Sequence, residues 1–228
     1  MMSDSREAVL GKIKQSLSTD TSDQERRKAV QSRIDSHARN LTPKRTADLD
    51  QAGLVDLLET KMKAVDCTVQ RLESMDDIPA AVADYLKGQN LPATIRQAPH
   101  SSLASLPWTK NAPMIEMSQG RSYGDDLNSL TACHAAVAET GTLMLESGAE
   151  GPTTLNFLPD NHIVVVRESQ VTGTYEDGWD RLREKRGGTD MPRALNMITG
   201  PSRTGDIEQT IFLGAHGPRS LHVLIVKD

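Results

Sequence analysis

Ile163-Val164-Val165-Val166 places four apolar residues in unbroken succession, every one of them β-branched. Successive side chains of a strand point to opposite faces, so this run needs an apolar cover on both sides. A strand of that kind belongs inside a parallel sheet. The other strand signals of the C-terminal half are 142–145, 195–199, 211–213 and 221–226. Between them, residues 175–186 read as a helix with Trp179 and Leu182 on one side.

The same alternation extends upstream. Leu54, Leu57, Leu58, Met62 and Val65 form a helix face, followed by a strand at 67–72. Asp76 or Asp77 is placed to cap a helix through Ile78, Val82, Tyr85 and Leu86, which Gly88 ends. Strands are expected near 93–96 and 114–117, with a loop carrying Pro99, Pro107 and Pro113 between them. Strands alternating with helices predict an α/β fold, a mostly parallel sheet with helices on both faces. Before residue 50 the pattern thins to two amphipathic stripes, Val9/Ile13/Leu17 and Val30/Ile34/Ala38, separated by the polar stretch 18–23 and closed by Pro43. The expected organisation is a helical N-terminal arm, 1–48, that packs on the main domain or on another subunit, and an α/β domain, 49–228. A homo-oligomer stays open.

Composition narrows the function classes. Aromatic residues are 3% of the 228, so the core rests on Val, Ile, Leu, Met and Ala. A net charge of −5 argues against a general nucleic-acid binder, which needs a surplus of Lys and Arg. Cys67 and Cys133 cannot by themselves build a disulfide framework, a four-cysteine zinc site or an iron–sulfur cluster. The first twenty residues lack an apolar signal core, and no run approaches a membrane span, so the expected address is the cytoplasm.

Three glycine-containing turns carry the candidate chemistry. Ala138-Glu139-Thr140-Gly141-Thr142 precedes a strand. Gly141 flanked by hydroxyls lets backbone N–H groups approach a ligand, and Glu139 is a candidate acid or base. The alternative is a tight turn whose Thr hydroxyls satisfy local backbone groups. Gly200-Pro201-Ser202-Arg203-Thr204-Gly205-Asp206-Ile207-Glu208-Gln209 combines hydroxyls, two carboxylates and a guanidinium suited to an anion. It reads equally as the start of a helix with Arg203 paired to a neighbouring acid. Gly214-Ala215-His216-Gly217-Pro218 offers His216 as an acid–base or ligand contact, or as an exposed turn residue. The catalytic candidates are therefore Glu139, Asp206, Glu208 and His216. The ligand-binding candidates are Thr140, Gly141, Thr142, Gly200, Ser202, Arg203 and Thr204. His162 is expected to hydrogen-bond structurally. The Ala-rich setting of Cys133-His134 suggests close helix packing instead of a nucleophile–base pair. Nucleotide-binding glycine loops, a nucleophile elbow and metal-ligand spacings are absent, so no metal site is expected.

Together the 138–142 block, Leu158-Pro159 through His162-Ile163, Gly200-Pro201-Ser202-Arg203-Thr204, Asp206-Ile207-Glu208 and the 214–218 turn with Leu221-His222-Val223 resemble the LUD-domain family, in particular its lactate utilization protein C group. They occur in the family's order and cover roughly 133–226. The resemblance implies a fold similar to the NagB/RpiA/CoA-transferase group, with ligand sites at strand ends. It also implies membership of a three-protein system oxidising L-lactate to pyruvate, in which the companion proteins carry the iron–sulfur clusters. On that basis the chain is an accessory, cluster-free component that contacts iron–sulfur partners and holds an anionic small molecule near Arg203. The family supplies no settled catalytic residue, so the chain is a candidate non-catalytic subunit. The alternative is a stand-alone enzyme or ligand-binding module on the CoA-transferase/isomerase-like scaffold, acting on a phosphorylated or CoA-linked metabolite.

Overall fold

The computed structural model describes residues 3–17, 23–39, 42–188, 190–204 and 212–228. The chain divides into two compact units, Met1–Leu41 and Thr42–Asp228. The first holds helices α1 (Ser3–Leu17) and α2 (Asp23–Ser36). Their stripes leave Val9, Leu10, Ile13, Leu17, Val30 and Ile34 exposed, between 47% and 62% of each residue.

The second unit runs α3 (Gln51–Ala64), β1 (Thr68–Leu72), α4 (Ile78–Gly88), β2 (Thr94–Gln97), α5 (Trp108–Asn111), β3 (Glu116–Gln119), β4 (Asn128–Ala132), β5 (Ala135–Val137) and β6 (Thr142–Glu146). It continues through α6 (Thr154–Phe157), β7 (Asn161–Arg167), β8 (Val171–Thr172), α7 (Tyr175–Arg186), β9 (Leu195–Ile198), β10 (Arg203–Thr204), β11 (Phe212–Leu213) and β12 (Ser220–Val226). A six-stranded sheet, ordered β1-β12-β7-β4-β2-β3, is parallel at every pairing. At its centre Ile163 pairs with His222 and Val164 with Val223. Alternation then sorts the side chains. Ile163, Val165, Leu224 and Val226 meet α4 through Ile78, Val82 and Leu86. Val164, Val166, Leu221, Val223 and Ile225 meet Val55, Leu58 and Met62 of α3 and Ala136, Leu143 and Leu145 of β5 and β6.

The expected single sheet with helices on both faces therefore holds for the main sheet only. Its second cover is partly a small mixed sheet, β8-β5-β6-β9, antiparallel between β5 and β6 and between β6 and β9. Tyr175 and Trp179 of α7 cover the outer side of that sheet over Ala135, Val137 and Met144. The Ala-rich stretch around Cys133 is extended, not helical: residues 128–132 and 135–137 are strands buried nearly throughout. Strand β4 carries Asn128, Ser129 and Thr131 in the core, each satisfied by a distant partner, which hides it from a hydrophobic pattern. The cap expected of Asp76 or Asp77 is supplied differently. Ser74 and Asp77 close a capping box over the 75–77 turn that leads into α4. The expected strand 211–213 is described only as β11; Ile211 lies outside the described residues.

Local signals set the helix ends elsewhere. Asp50 accepts from the Gly53 N–H at the start of α3. Thr174 and Asp177 form a capping box on α7, and Gly187 ends it in the left-handed region at φ 74°. Among the described residues no helix is long and apolar enough to cross a membrane.

Truncating Leu224, which is fully buried, is expected to cost about 2–5 kcal/mol, whereas the exposed Leu10→Ala stays within about 0.5 kcal/mol. Urea unfolding midpoints compare the two. Burial also holds the His134 and His222 imidazoles down to about 4 and His162 down to about 3. Unfolding returns them to about 6.5, so below that pH the unfolded chain binds protons that the folded chain refuses. Stability is therefore expected to fall as pH drops from about 6.5 towards 4, and to be independent of these three groups above about 7. Denaturant midpoints across that range test the sign.

Candidate functional site

The turn joining β5 to β6 closes with a Gly141 N–H to Val137 carbonyl bond of 2.9 Å. Gly141 adopts φ 72°, and a Cβ there would lie 3.0 Å from the backbone of Lys61 and Met62. Glycine thus lets the turn rest against the end of α3. The turn's hydroxyls are engaged with one another. Thr142 Oγ1 is 2.7 Å from Thr140 Oγ1, 2.8 Å from the Tyr175 hydroxyl and 2.7 Å from Thr199 Oγ1. Glu139 is buried, with Arg45 Nε 3.5 Å away.

The 200–204 loop leaves β9 and rests on the residues just after α3. Gly200 has φ 80°, and a Cβ there would approach the Val65 carbonyl oxygen to 2.8 Å. Arg203 forms an ion pair with Asp66. Ser202 straps the 214–218 turn to this loop. Its N–H donates to the Pro218 carbonyl, its carbonyl accepts from the Gly214 N–H, and its Oγ accepts from the His216 N–H at 3.3 Å. His216 is exposed.

Structure thus seats the first two turns on the end of α3 and ties the third to the second. The charged groups do not share partners: Glu139 faces Arg45, and Arg203 faces Asp66. Asp206 and Glu208 lie outside the described residues. The strapped loops adjoin the amino end of β12, where the Arg219 and Ser220 N–H groups both donate to the Asp160 carbonyl. His162 fills its expected structural role, with Nε2 2.8 Å from Thr131 Oγ1.

A second constellation occupies the carboxyl ends of the main sheet. From β2 the chain passes outward to β3, whereas from β4 it proceeds in the other direction to β7 and β12. Such a reversal of strand order opens a crevice at the carboxyl ends. A cleft of about 750 Å³ lies there, lined by His100 after β2, Cys133 and His134 after β4, Glu146, the 147–151 turn, and Arg181, Lys185 and Arg186 of α7. Residues 133 and 134 are where the chain changes sheets. The Cys133 N–H bonds the Val165 carbonyl of β7, and the His134 N–H bonds the Met144 carbonyl of β6.

His134 Nδ1 is 3.9 Å from Glu146 Oε2, and its buried Nε2 has no hydrogen-bond partner. Burial pushes the Glu146 carboxyl up, but hydrogen bonds from Lys185, 2.8 Å away, and Arg186 outweigh it and hold the group below the ordinary carboxylate range. Burial pushes the Cys133 thiol up to about 12, and it donates to the Ala135 carbonyl at 2.7 Å. Burial likewise raises Cys67 to about 11, opposed by a Gly200 backbone hydrogen bond. The sequence pattern misses this cleft. The one signal for it is the basic row Arg181, Lys185 and Arg186 along α7.

Comparisons agree with the architecture. Residues 128–226 match the family model described as LUD domain. The chain is 41% identical over 98 residues to lactate utilization protein C of Deinococcus radiodurans, covering 42% of this chain and 45% of that protein. It is 36% identical over 93 residues to lactate utilization protein C of Geobacillus thermodenitrificans, covering 40% of this chain and 39% of that protein. The matched segment thus spans less than half the length of these relatives. A solved structure of a DUF162 family protein from Deinococcus radiodurans superposes with a TM-score of 0.57 at 26% identity, covering 78% of this chain and 99% of that one.

Gly200→Ala is expected to lower stability by about 1–3 kcal/mol, because a left-handed alanine must also push against the Val65 carbonyl. Gly88→Ala, whose Cβ would meet open space, is expected to be neutral or stabilising. Thermal unfolding of the two variants tests the contrast.

Proposed function

The chain belongs to the LUD-domain family, and on that premise we propose that it is an accessory component of a system oxidising L-lactate to pyruvate, holding an anionic small molecule beside iron–sulfur partner proteins. The observation that carries the proposal is the LUD match itself. It spans β4 to β12 and so includes the crossing at Cys133 and His134 and most of the cleft wall. The relatives named for lactate utilization supply the pathway.

Cluster ligation is assigned to the partners on chemical grounds. Iron–sulfur clusters need several thiolates. This chain has two thiols, Cys67 and Cys133, both buried, fewer than a four-cysteine cluster site needs. Among the described residues no group of three or more His, Cys, Asp or Glu is placed to hold a metal ion. The anion is assigned to the carboxyl-end cleft and not to Arg203, because Asp66 already neutralises Arg203. The 139–142 turn and the 200–204 loop then serve as the frame that seats the small sheet on α3. A relation to the NagB/RpiA/CoA-transferase scaffold and a cytoplasmic address complete the proposal.

One observation favours a second reading. Arg181, Lys185 and Arg186 of α7 line the cleft, and a stand-alone module binding a phosphorylated or CoA-linked metabolite would use such cations.

The tagged chain, isolated from its native host grown on L-lactate, is expected to bring down proteins carrying iron and acid-labile sulfide, and its deletion is expected to slow growth on lactate but not on glucose. Clean isolation alone, with unimpaired growth on lactate, overturns the accessory role. Saturable thermal stabilisation by sugar phosphates or CoA esters supports the second reading.

A further inference from the structure

We propose that the helical arm of the first unit is a docking element for a partner protein whose binding face is an apolar strip edged by carboxylates. The inference stands apart from the lactate reading and draws only on the arm's own residues.

The apolar half of the pattern comes first. Val9, Leu10, Ile13 and Leu17 recur at the three- and four-residue spacing of one face of α1, and Val30 and Ile34 do so on α2. All six are about half exposed, so neither stripe is covered. Helices of 15 and 14 residues are marginal in water without a packed face. The arm therefore gains most of its stability when that face is covered.

Charge says what covers it. On α2, Arg26 stands four residues before Val30, Arg27 three before it and Arg33 three after it, which puts all three beside the stripe. Glu25 and Asp35 each lie five residues from Val30, on the far side of the helix. On α1, Arg6 and Lys14 lie four residues either side of Leu10, and Lys12 lies three beyond Val9. Glu7 is the one carboxylate at such a spacing among the described side chains. Six cations thus border the stripes against one carboxylate. None of the six has a carboxylate partner among the described residues, and Arg26 keeps its charge while donating to the Leu17 carbonyl at 3.4 Å.

The same residues decide between classes of partner. A second copy of the arm would set guanidinium against guanidinium along the stripe, and like charges oppose that pairing. A bilayer needs a broad apolar face with aromatic or many leucine side chains. These stripes hold four and two apolar residues, none aromatic, with Arg6 and Arg27 among them. An acidic amphipathic protein surface answers both halves of the pattern, apolar on apolar and carboxylate on guanidinium.

The probe is a synthetic helical peptide of about four heptads with Leu at the two core positions and Glu along both edges. A Lys-edged version of the same peptide is the comparison. Binding to the full chain is followed by fluorescence anisotropy of the labelled peptide, and its location by amide exchange. The expected result is saturable, salt-weakened binding of the Glu peptide, with slowed exchange confined to residues 5–17 and 24–36. The Lys peptide should bind at least about tenfold more weakly. Arg26→Glu combined with Arg33→Glu should reverse that preference, and Ile13→Ser combined with Val30→Ser should weaken the Glu peptide at least about tenfold. All four positions are exposed, and unchanged thermal unfolding of the second unit checks that each variant folds.

No saturable binding of the Glu peptide, equal binding of the two peptides, or protection outside the arm overturns the proposal. So does tighter binding to vesicles of phosphatidylcholine with about one third phosphatidylserine. Arm amides already protected in the chain alone overturn it as well, since the stripes would then be covered without a partner protein.

Discussion

Strands β7 and β12 lie side by side at the centre of the parallel sheet, and their pairing is the constraint around which the second unit is arranged. Both carry apolar side chains on alternate faces, so each face must be kept from water by a separate layer. Helix α4 supplies one layer. The other cannot come from α3 alone, and the small mixed sheet completes it through Ala136, Leu143 and Leu145. Polar groups tie the amino end of the same strands. Asn161 donates to Asn128 at 3.0 Å and accepts from Ser220 at 2.6 Å, while Tyr85 reaches Ser220 and stacks on His222 with ring centroids 4.0 Å apart.

Using a sheet as a cover has a chemical consequence. The chain must cross from one sheet to the other, and it does so within the step from Cys133 to His134, at the carboxyl end of β4. That crossing holds His134 between layers, close to Glu146 at the end of β6 and to the basic side of α7. A buried imidazole, an ionised carboxylate and the basic side of α7 meet at the point where strand order reverses. At the opposite end of the sheet, the glycine turns are drawn together by Ser202 and by the end of α3. Their charged side chains take ion-pair partners outside the turns, Arg45 and Asp66.

Much of the scaffold was legible in the residues. The β-branched run at 163–166, the apolar 221–226 segment, the α4 face and the capped α7 each contain their own signal, because burial or capping is written in neighbouring positions. Strands β4 and β5 were not legible. Ser129 is satisfied by the Leu155 carbonyl and Asn128 by the carbonyls of Pro92 and Thr94, partners at least 26 residues away. Ala135 and Ala136 are small because two layers press on them, a reason indistinguishable in sequence from helix packing.

The candidate site divides in the same way. Gly141 and Gly200 were recognisable as positions needing special backbone freedom, and the close approach to α3 accounts for that need. Which charged groups face one another was not recognisable. By itself the sequence determined a parallel α/β scaffold, two cysteines too few for a cluster, and a set of motifs resembling the LUD-domain family. Only the tertiary structure decided that Arg203 pairs with Asp66, and that His134 is buried beside Glu146 at the carboxyl ends of the main sheet. Electrostatic partners and solvent exposure depend on distances across the fold, and local periodicity carries no record of them.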